Sequence, residues 1–156
     1  MGAPERPEHE QARLDRQLSE LLQELRIAMP GVQLLFAFLL AVPFQARFGE
    51  VSDFARDVYL ATLLCATLSS ALLIAPAAYH RLLFQRGDKR RIIRFAERAA
   101  ISGLFFLAVA MTGSVLLVTD FLFGTPTTVV VGVATVAIFA WFWFGVAGVR
   151  RRAQQR

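Results

Sequence analysis

The sequence predicts an all-α membrane protein with four transmembrane helices preceded by a cytoplasmic amphipathic helix, and with both termini inside. Three observations predict this fold: the apolar residues are concentrated in four long stretches, the basic residues lie almost entirely on one side of them, and a leucine stripe precedes the first. Of the 156 residues, 56% are hydrophobic, which is above the share of ordinary soluble domains.

Each apolar stretch is long enough, or nearly so, to cross a bilayer. The stretches run over about residues 27–44, 58–79, 99–123 and 127–149. Ionised side chains occur only near their ends, and a span needs roughly 20 such residues. Only Gly124-Thr125-Pro126 separates the last two stretches, so these are expected to form an antiparallel hairpin. Residues 27–149 are thus expected to form one transmembrane domain.

The distribution of basic residues predicts the orientation. Four Lys or Arg residues precede the first span, seven lie between the second and third, and four lie in a basic tail at residues 150–156. Only Arg47 and Arg56, of 17 in total, lie in the first connector. The positive-inside rule then places both termini in the cytoplasm. Topology and anionic headgroups explain the net charge of +5, so we expect the lipid bilayer, and not nucleic acid, as a partner.

The segment before the first span divides into two parts. Residues 1–10 hold two prolines, a glycine and mixed charge, which is typical of a disordered tail. Residues 11–28 are expected to form an amphipathic helix, because leucines recur there at helical spacing at positions 14, 18, 21 and 25. The leucine face could lie on the cytoplasmic leaflet, dock on the bundle or pair with a second copy. The balanced charge of its polar face favours protein contact over lipid contact.

Proline and small residues predict how the helices bend and pack. Pro30-Gly31 stands where the amphipathic helix meets the first span, and a proline inside a helix predicts a bend. Span two carries two stripes of small residues, Ala61-Cys65-Ser69 and Thr62-Ala66-Ser70, and span three carries a similar surface. Small residues four apart allow helix backbones to approach closely in lipid.

Nothing in the sequence predicts an enzyme, a cofactor or a metal site. It contains no HExxH motif, no nucleotide-binding glycine loop, no Cys/His cluster and no nucleophile with a plausible base. His80 and Arg81 lie at the cytoplasmic end of span two, and Arg26 lies before span one. These three are candidates for contact with lipid headgroups. A pH-sensing His80 is an alternative, but an anchoring residue at the membrane interface is the favoured interpretation.

Gln33 is the most informative polar residue within a span. It lies about two turns into the first span, where its amide needs a hydrogen-bond partner. Examples of such a partner are Ser69, Ser70, Thr112 and Gln33 of another copy. Contact between helices is the favoured role, and part of a polar pore or substrate site is the alternative.

The remaining candidates are two carboxylates, Asp57 and Asp120, at the outer ends of spans two and three. Ion coupling generally needs an ionisable group inside the membrane, and the span interiors contain none. A proton or sodium antiporter would therefore have to use these two residues alone. A helix N-terminus accounts for Asp57, and the end of a span accounts for Asp120.

The runs LLQELRIAMPGVQLLFAFLLAVPFQARF and ALLIAPAAYHRLLF resemble a family of small four-span membrane proteins of unknown function from high-GC Gram-positive bacteria. Some members carry the label sodium:proton antiporter. The resemblance covers about residues 14–119 and implies a bacterial plasma-membrane protein. It implies no ligand and no catalytic residue.

Two classes of function remain open. The first is a non-enzymatic accessory or interaction protein that self-associates, or that docks on a larger membrane complex from the cytoplasmic side. The second is a small oligomeric cation or proton transporter or channel, with Gln33 and the polar residues of spans two and three along a path. Short external connectors and small-residue packing surfaces favour the first class.

The predicted orientation can be tested with reporters fused after Arg156. A reporter that works only in the cytoplasm is expected to be active there, because 15 of the 17 basic residues lie on the side of the C-terminus. A reporter that works only outside the cytoplasm, fused at the same position, is expected to be silent. The reverse pattern would contradict the topology.

Overall fold

A computed structural model of the chain describes residues 5–46, 48–83 and 89–142 and is all-helical over these residues. Four α-helices follow one another: α1 (Glu5–Ala41), α2 (Asp53–Leu83), α3 (Lys89–Phe123) and α4 (Thr125–Ala140). The connector between α1 and α2 contains two short 3₁₀ helices, Val42–Phe44 and Phe48–Glu50. The predicted all-α fold is confirmed.

Three of the four helices are long and apolar enough, by length and composition, to cross a membrane. The candidate spans are Ser19–Phe44, Asp53–Tyr79 and Ile92–Phe123. Helix α4 is also apolar but has 16 residues, which is about 24 Å at 1.5 Å per residue. The predicted fourth span reaches residue 149, and its residues 143–149 lie outside the described part of the chain.

Helix α1 unites two elements that the sequence predicts as separate. It begins at Glu5, within the segment expected to be a disordered tail, and it continues through Pro30 to Ala41. Pro7 lies in the first turn, where backbone N–H groups have no helical partner, so it costs the helix little. Pro30 removes one internal hydrogen bond, but Leu25 and Val32 pack in one cluster with Leu73 of α2. Packing on a common neighbour therefore supports the helix on both sides of Pro30.

Buried residues recur at alternating steps of three and four along α2 and α3. On α2 they are Ala55, Tyr59, Thr62, Ala66, Ser69, Leu73 and Pro76; on α3 they include Ile92, Ala96, Ala99, Gly103, Ala110 and Gly113. On α1 the buried Leu25, Val32 and Leu39 are seven apart. This heptad period is typical of long helices packed side by side. The heptad period also corrects the predicted stripes of α2, which had uniform steps of four. Residues four apart shift progressively around the helix axis. Thr62, Ala66 and Ser69 are therefore buried together, whereas Ala61 is exposed.

Helices α2 and α3 share the most extensive interface, and small residues bring them together. The hydroxyl of the fully buried Ser69 donates a hydrogen bond of 2.7 Å to the carbonyl of Gly103. A Cβ atom on Gly103 would lie 2.9 Å from Cδ2 of Leu73, and one on Gly113 would overlap the hydroxyl of Thr62. The predicted role of small residues in close packing thus holds for this pair of helices.

The bundle consists of three mutually packed helices with a fourth at one side. Helix α1 contacts both α2 and α3, whereas the backbone of α4, within the described residues, approaches only that of α3. The connector Gly124 has a φ of +77°, a conformation that glycine adopts readily, and it turns the chain back along α3. Gly132 then faces Leu116, whose Cδ2 would lie 2.5 Å from an added Cβ.

Gly113→Ala is expected to lower the free energy of unfolding by about 1 to 3 kcal/mol, because the added methyl group overlaps Thr62 in the α2–α3 interface. Gly31→Ala is the matched control, since an added Cβ there meets nothing within 4 Å, and alanine is the better helix former. Equilibrium unfolding in detergent micelles, followed by circular dichroism, measures both. Equal stabilities of the two variants would contradict the packing.

Candidate functional site

The antiparallel helices give the bundle two ends. The connector end holds the α1–α2 connector, residues 42–52, and Gly124; the basic end holds the last turns of α2 and the first turns of α3. The six sequence-predicted candidates do not form one site. Arg26 and Gln33 are exposed on α1, Asp57 is exposed near the start of α2, Asp120 is partly buried in the last turn of α3, and His80 and Arg81 lie in α2 with side chains outside the described residues.

Tyr59 organises the connector end. Its hydroxyl donates a hydrogen bond of 2.9 Å to the carbonyl of Leu39. In a continuous helix that carbonyl would accept from the N–H of residue 43, but residue 43 is proline and has no N–H. Tyr59 therefore supplies the donor that Pro43 cannot supply. The Tyr59 ring also packs edge-on against Phe48 of the connector, with ring centroids 5.3 Å apart.

A cavity of about 630 Å³ lies beside Tyr59, between α1, the connector, α2 and α3. Its walls are mainly aliphatic and aromatic, with polar side chains at only a few positions. The lining residues include Leu35, Phe38, Val42, Phe48, Ala55, Leu117 and Phe121, together with Gln45, Ser52, Ser114 and Asp120. The volume of this cavity and the composition of its walls are typical of small-molecule sites, which are apolar pockets with a few polar groups.

The basic end is closed by apolar contacts. Leu22 packs with Tyr79 against the buried pair Ile92 and Ile93, and the rings of Tyr79 and Phe95 lie 4.7 Å apart. With Leu25 in the cluster around Leu73, the second half of the predicted leucine stripe contacts the bundle. The side chains of the first half, at positions 14 and 18, lie outside the described residues.

Part of the basic cluster is described. Arg94 and Arg98 extend from α3 with exposed side chains. The side chains of the other five basic residues between spans two and three, at positions 81, 86, 89, 90 and 91, lie outside the described residues. The described arginines are placed where anionic headgroups or an acidic partner could reach them.

Gln33 does not meet the intramolecular partners that the sequence suggests for it. Ser69 donates to the carbonyl of Gly103, and Ser70 donates to that of Ala66. Thr112 donates to the carbonyl of Ala108 in its own helix. The Gln33 side chain is instead exposed on α1.

The described residues hold no group of three or more His, Cys, Asp and Glu side chains that could bind a metal ion. The cysteine, Cys65, is free and partly buried in α2. Neither observation identifies a chemical centre in the described part of the chain.

The sequence from residue 7 to residue 147 matches a family of unknown function, DUF6328. The chain belongs to family DUF6328. This confirms the predicted membership in a family of unknown function. Comparison with curated proteins found no match, and comparison with solved structures found none either.

The role of Tyr59 in this DUF6328 protein was not predicted from the sequence. The signal was present, because a proline four residues after Leu39 leaves that carbonyl without its helical donor. The position of the compensating hydroxyl, 20 residues further on, depends on how α1 and α2 pack. The cavity next to Asp120 is likewise a product of tertiary structure.

Tyr59→Phe is expected to lower the free energy of unfolding by about 1 to 3 kcal/mol, because it leaves the buried carbonyl of Leu39 without a partner. The loss is expected to be smaller in a Pro43→Ala background, where residue 43 regains an N–H. Tyr79→Phe is the matched control, since the structure shows a ring contact for Tyr79 and its hydroxyl has no described hydrogen bond. Equal losses for Tyr59→Phe with and without Pro43→Ala would contradict the explanation.

Proposed function

We propose that this DUF6328 chain is a non-enzymatic, membrane-embedded interaction protein that works as a homo-oligomer. Its protomers associate with one another through the outward face of α1. A larger membrane complex docks on the basic end from the cytoplasmic side. The exposed amide of Gln33 carries the proposal.

Gln33 lies near the middle of the candidate span Ser19–Phe44, and its side chain is exposed. Among the described residues it has no hydrogen-bond partner. A carboxamide offers two donors and one acceptor oxygen, and polar groups left unpaired in hydrocarbon are costly. The same residue of a second copy supplies a donor and an acceptor at the same depth. Two such amides related by a two-fold axis can form a reciprocal pair.

The residues around Gln33 provide a surface for that pairing. Arg26, Pro30, Gln33, Ala37 and Leu40 are spaced by four and three residues in alternation, and all are exposed. This spacing is that of a heptad seam, distinct from the seam by which α1 packs on α2 and α3. Ala37 is small enough to let two α1 backbones approach. Arg26, at the end of the seam, can extend its charged group towards the headgroups.

The rest of the protein covers less of α1 than of α2 or α3. In the most apolar part of its candidate span, α1 has 11% of its residues buried, whereas α2 and α3 each have 22% buried. Packing and hydrogen bonds between helices drive association in lipid. A second copy of the chain would cover this face and satisfy Gln33 at once.

The rival function is a small oligomeric transporter or channel. It needs Gln33 to share a path with the polar residues of α2 and α3, but the Ser69 hydroxyl is turned to the backbone of α3 and that of Thr112 to its own helix. A single protomer thus does not bring these groups together. The geometry therefore favours the interaction role. The proposed location is the bacterial plasma membrane, with both termini inside and the basic end against anionic headgroups.

Gln33→Leu is expected to weaken self-association about 3- to 10-fold, since a hydrogen bond between membrane helices contributes on the order of 1 kcal/mol. Energy transfer between labelled protomers in lipid vesicles, titrated by lipid dilution, measures the dissociation constant. Gln17→Leu is the matched control, because Gln17 is an exposed amide on the same helix that lies outside this heptad seam. A monomeric wild-type protein, or equal effects of the two substitutions, would refute the proposal.

A further inference from the structure

We propose that the connector-end cavity binds an amphiphilic organic cation, with its apolar body in the cavity and its charged group at Asp120. This inference concerns a different part of the molecule from the outward face of α1 and does not depend on self-association. It rests on the cavity, the state of its polar groups and the surroundings of one carboxylate.

The cavity has the size and the walls for an apolar ligand body. Its volume of about 630 Å³ lies within the range of small-molecule pockets. Phe48 and Tyr59 form one side as an edge-on aromatic pair, and Leu35 and Leu117, which pack on the buried core, form another. Burial of apolar surface against these walls supplies the main driving force.

Most polar groups in the walls already have partners. The hydroxyl of Tyr59 donates to the carbonyl of Leu39, and that of Ser114 donates to the carbonyl of Ala110. The hydroxyl oxygen of Ser52 accepts the N–H of Ala55 at the start of α2. These groups are therefore engaged within the fold, and Asp120 is the acidic side chain among the lining residues.

The carboxylate of Asp120 has no counter-charge among the described residues. It lies in the last turn of α3, which ends at Phe123, and α4 begins beside it at Thr125, so the negative end of one helix dipole and the positive end of another both lie nearby. No ion pair or side-chain hydrogen bond joins it to another described residue, and no side chain caps α4, which follows directly. Arg56, at the same end, is engaged with Asp53 at 3.4 Å and with the carbonyl of Gly49 at 3.3 Å. A bound cation would supply a counter-charge for the Asp120 carboxylate.

These features define the ligand class. A metal ion such as Ca²⁺ needs six or more oxygen ligands, whereas the cavity offers one carboxylate and apolar walls. A neutral acyl chain would fill the space but leave Asp120 without a counter-charge. A monocation with a large apolar body would fill the apolar space and supply a counter-charge for Asp120.

Tetraphenylphosphonium is the probe of choice, because it combines one positive charge with an apolar body. Its binding to the full-length protein in nanodiscs of neutral lipid is measured by equilibrium dialysis, with empty nanodiscs as the blank. Saturable binding is expected, and Asp120→Asn is expected to raise the dissociation constant about tenfold. Asp120→Glu is expected to retain most of the affinity, since it keeps the charge.

The matched controls separate this site from general attraction. Asp57→Asn removes an exposed carboxylate at the same end that does not line the cavity, and it is expected to leave binding unchanged. Ser114→Leu fills the wall without altering charge and is expected to weaken binding severalfold, with circular dichroism checking the fold of every variant. Equal effects of the two aspartate substitutions, or no effect of Asp120→Asn or Ser114→Leu, would overturn the proposal. So would equally tight binding of the neutral triphenylphosphine oxide.

Discussion

The close approach of α2 and α3 is the contact on which the rest of the bundle depends. Ser69 is fully buried and donates to the backbone of Gly103, while Gly113 leaves room for Thr62 on the facing helix. Lipid supplies no hydrophobic drive for helices to associate, so this kind of packing must provide the stability. With α2 and α3 fixed together, α1 packs against both of them, and α4 packs along the free side of α3.

Proline places a second constraint on a helix in the membrane, because it removes a donor where water cannot replace it. At the connector end the constraint is met by Tyr59, whose hydroxyl binds the Leu39 carbonyl that Pro43 leaves without a helical donor. The same hydroxyl joins α1 to α2, so one bond both satisfies the backbone and fixes the position of the connector. Phe48 then packs on the ring of Tyr59 and completes one wall of the cavity.

Residue patterns predicted the helices better than their faces. The long apolar stretches predicted the all-α fold, because about 20 consecutive apolar residues are enough to indicate a membrane-spanning helix. The packing stripe of α2 was predicted at steps of four, whereas packed helices bury Thr62, Ala66 and Ser69 at steps of four and three. Gln33 was identified, but its exposure and its lack of a partner in the same chain depend on the rotation of α1. The cavity at Asp120 requires three helices and a connector to meet, which no local pattern encodes.

The two faces of α1 differ in the kind of contact they require. The inner face carries Leu25, Val32 and Leu39, whose side chains pack in apolar clusters against α2 and α3. The outward face carries Gln33 at membrane depth. Apolar side chains on that face could be covered by lipid tails at little cost, but the amide could not, because tails offer no hydrogen bond. The symmetric copy proposed for this face would bring a polar group to the same depth with one residue.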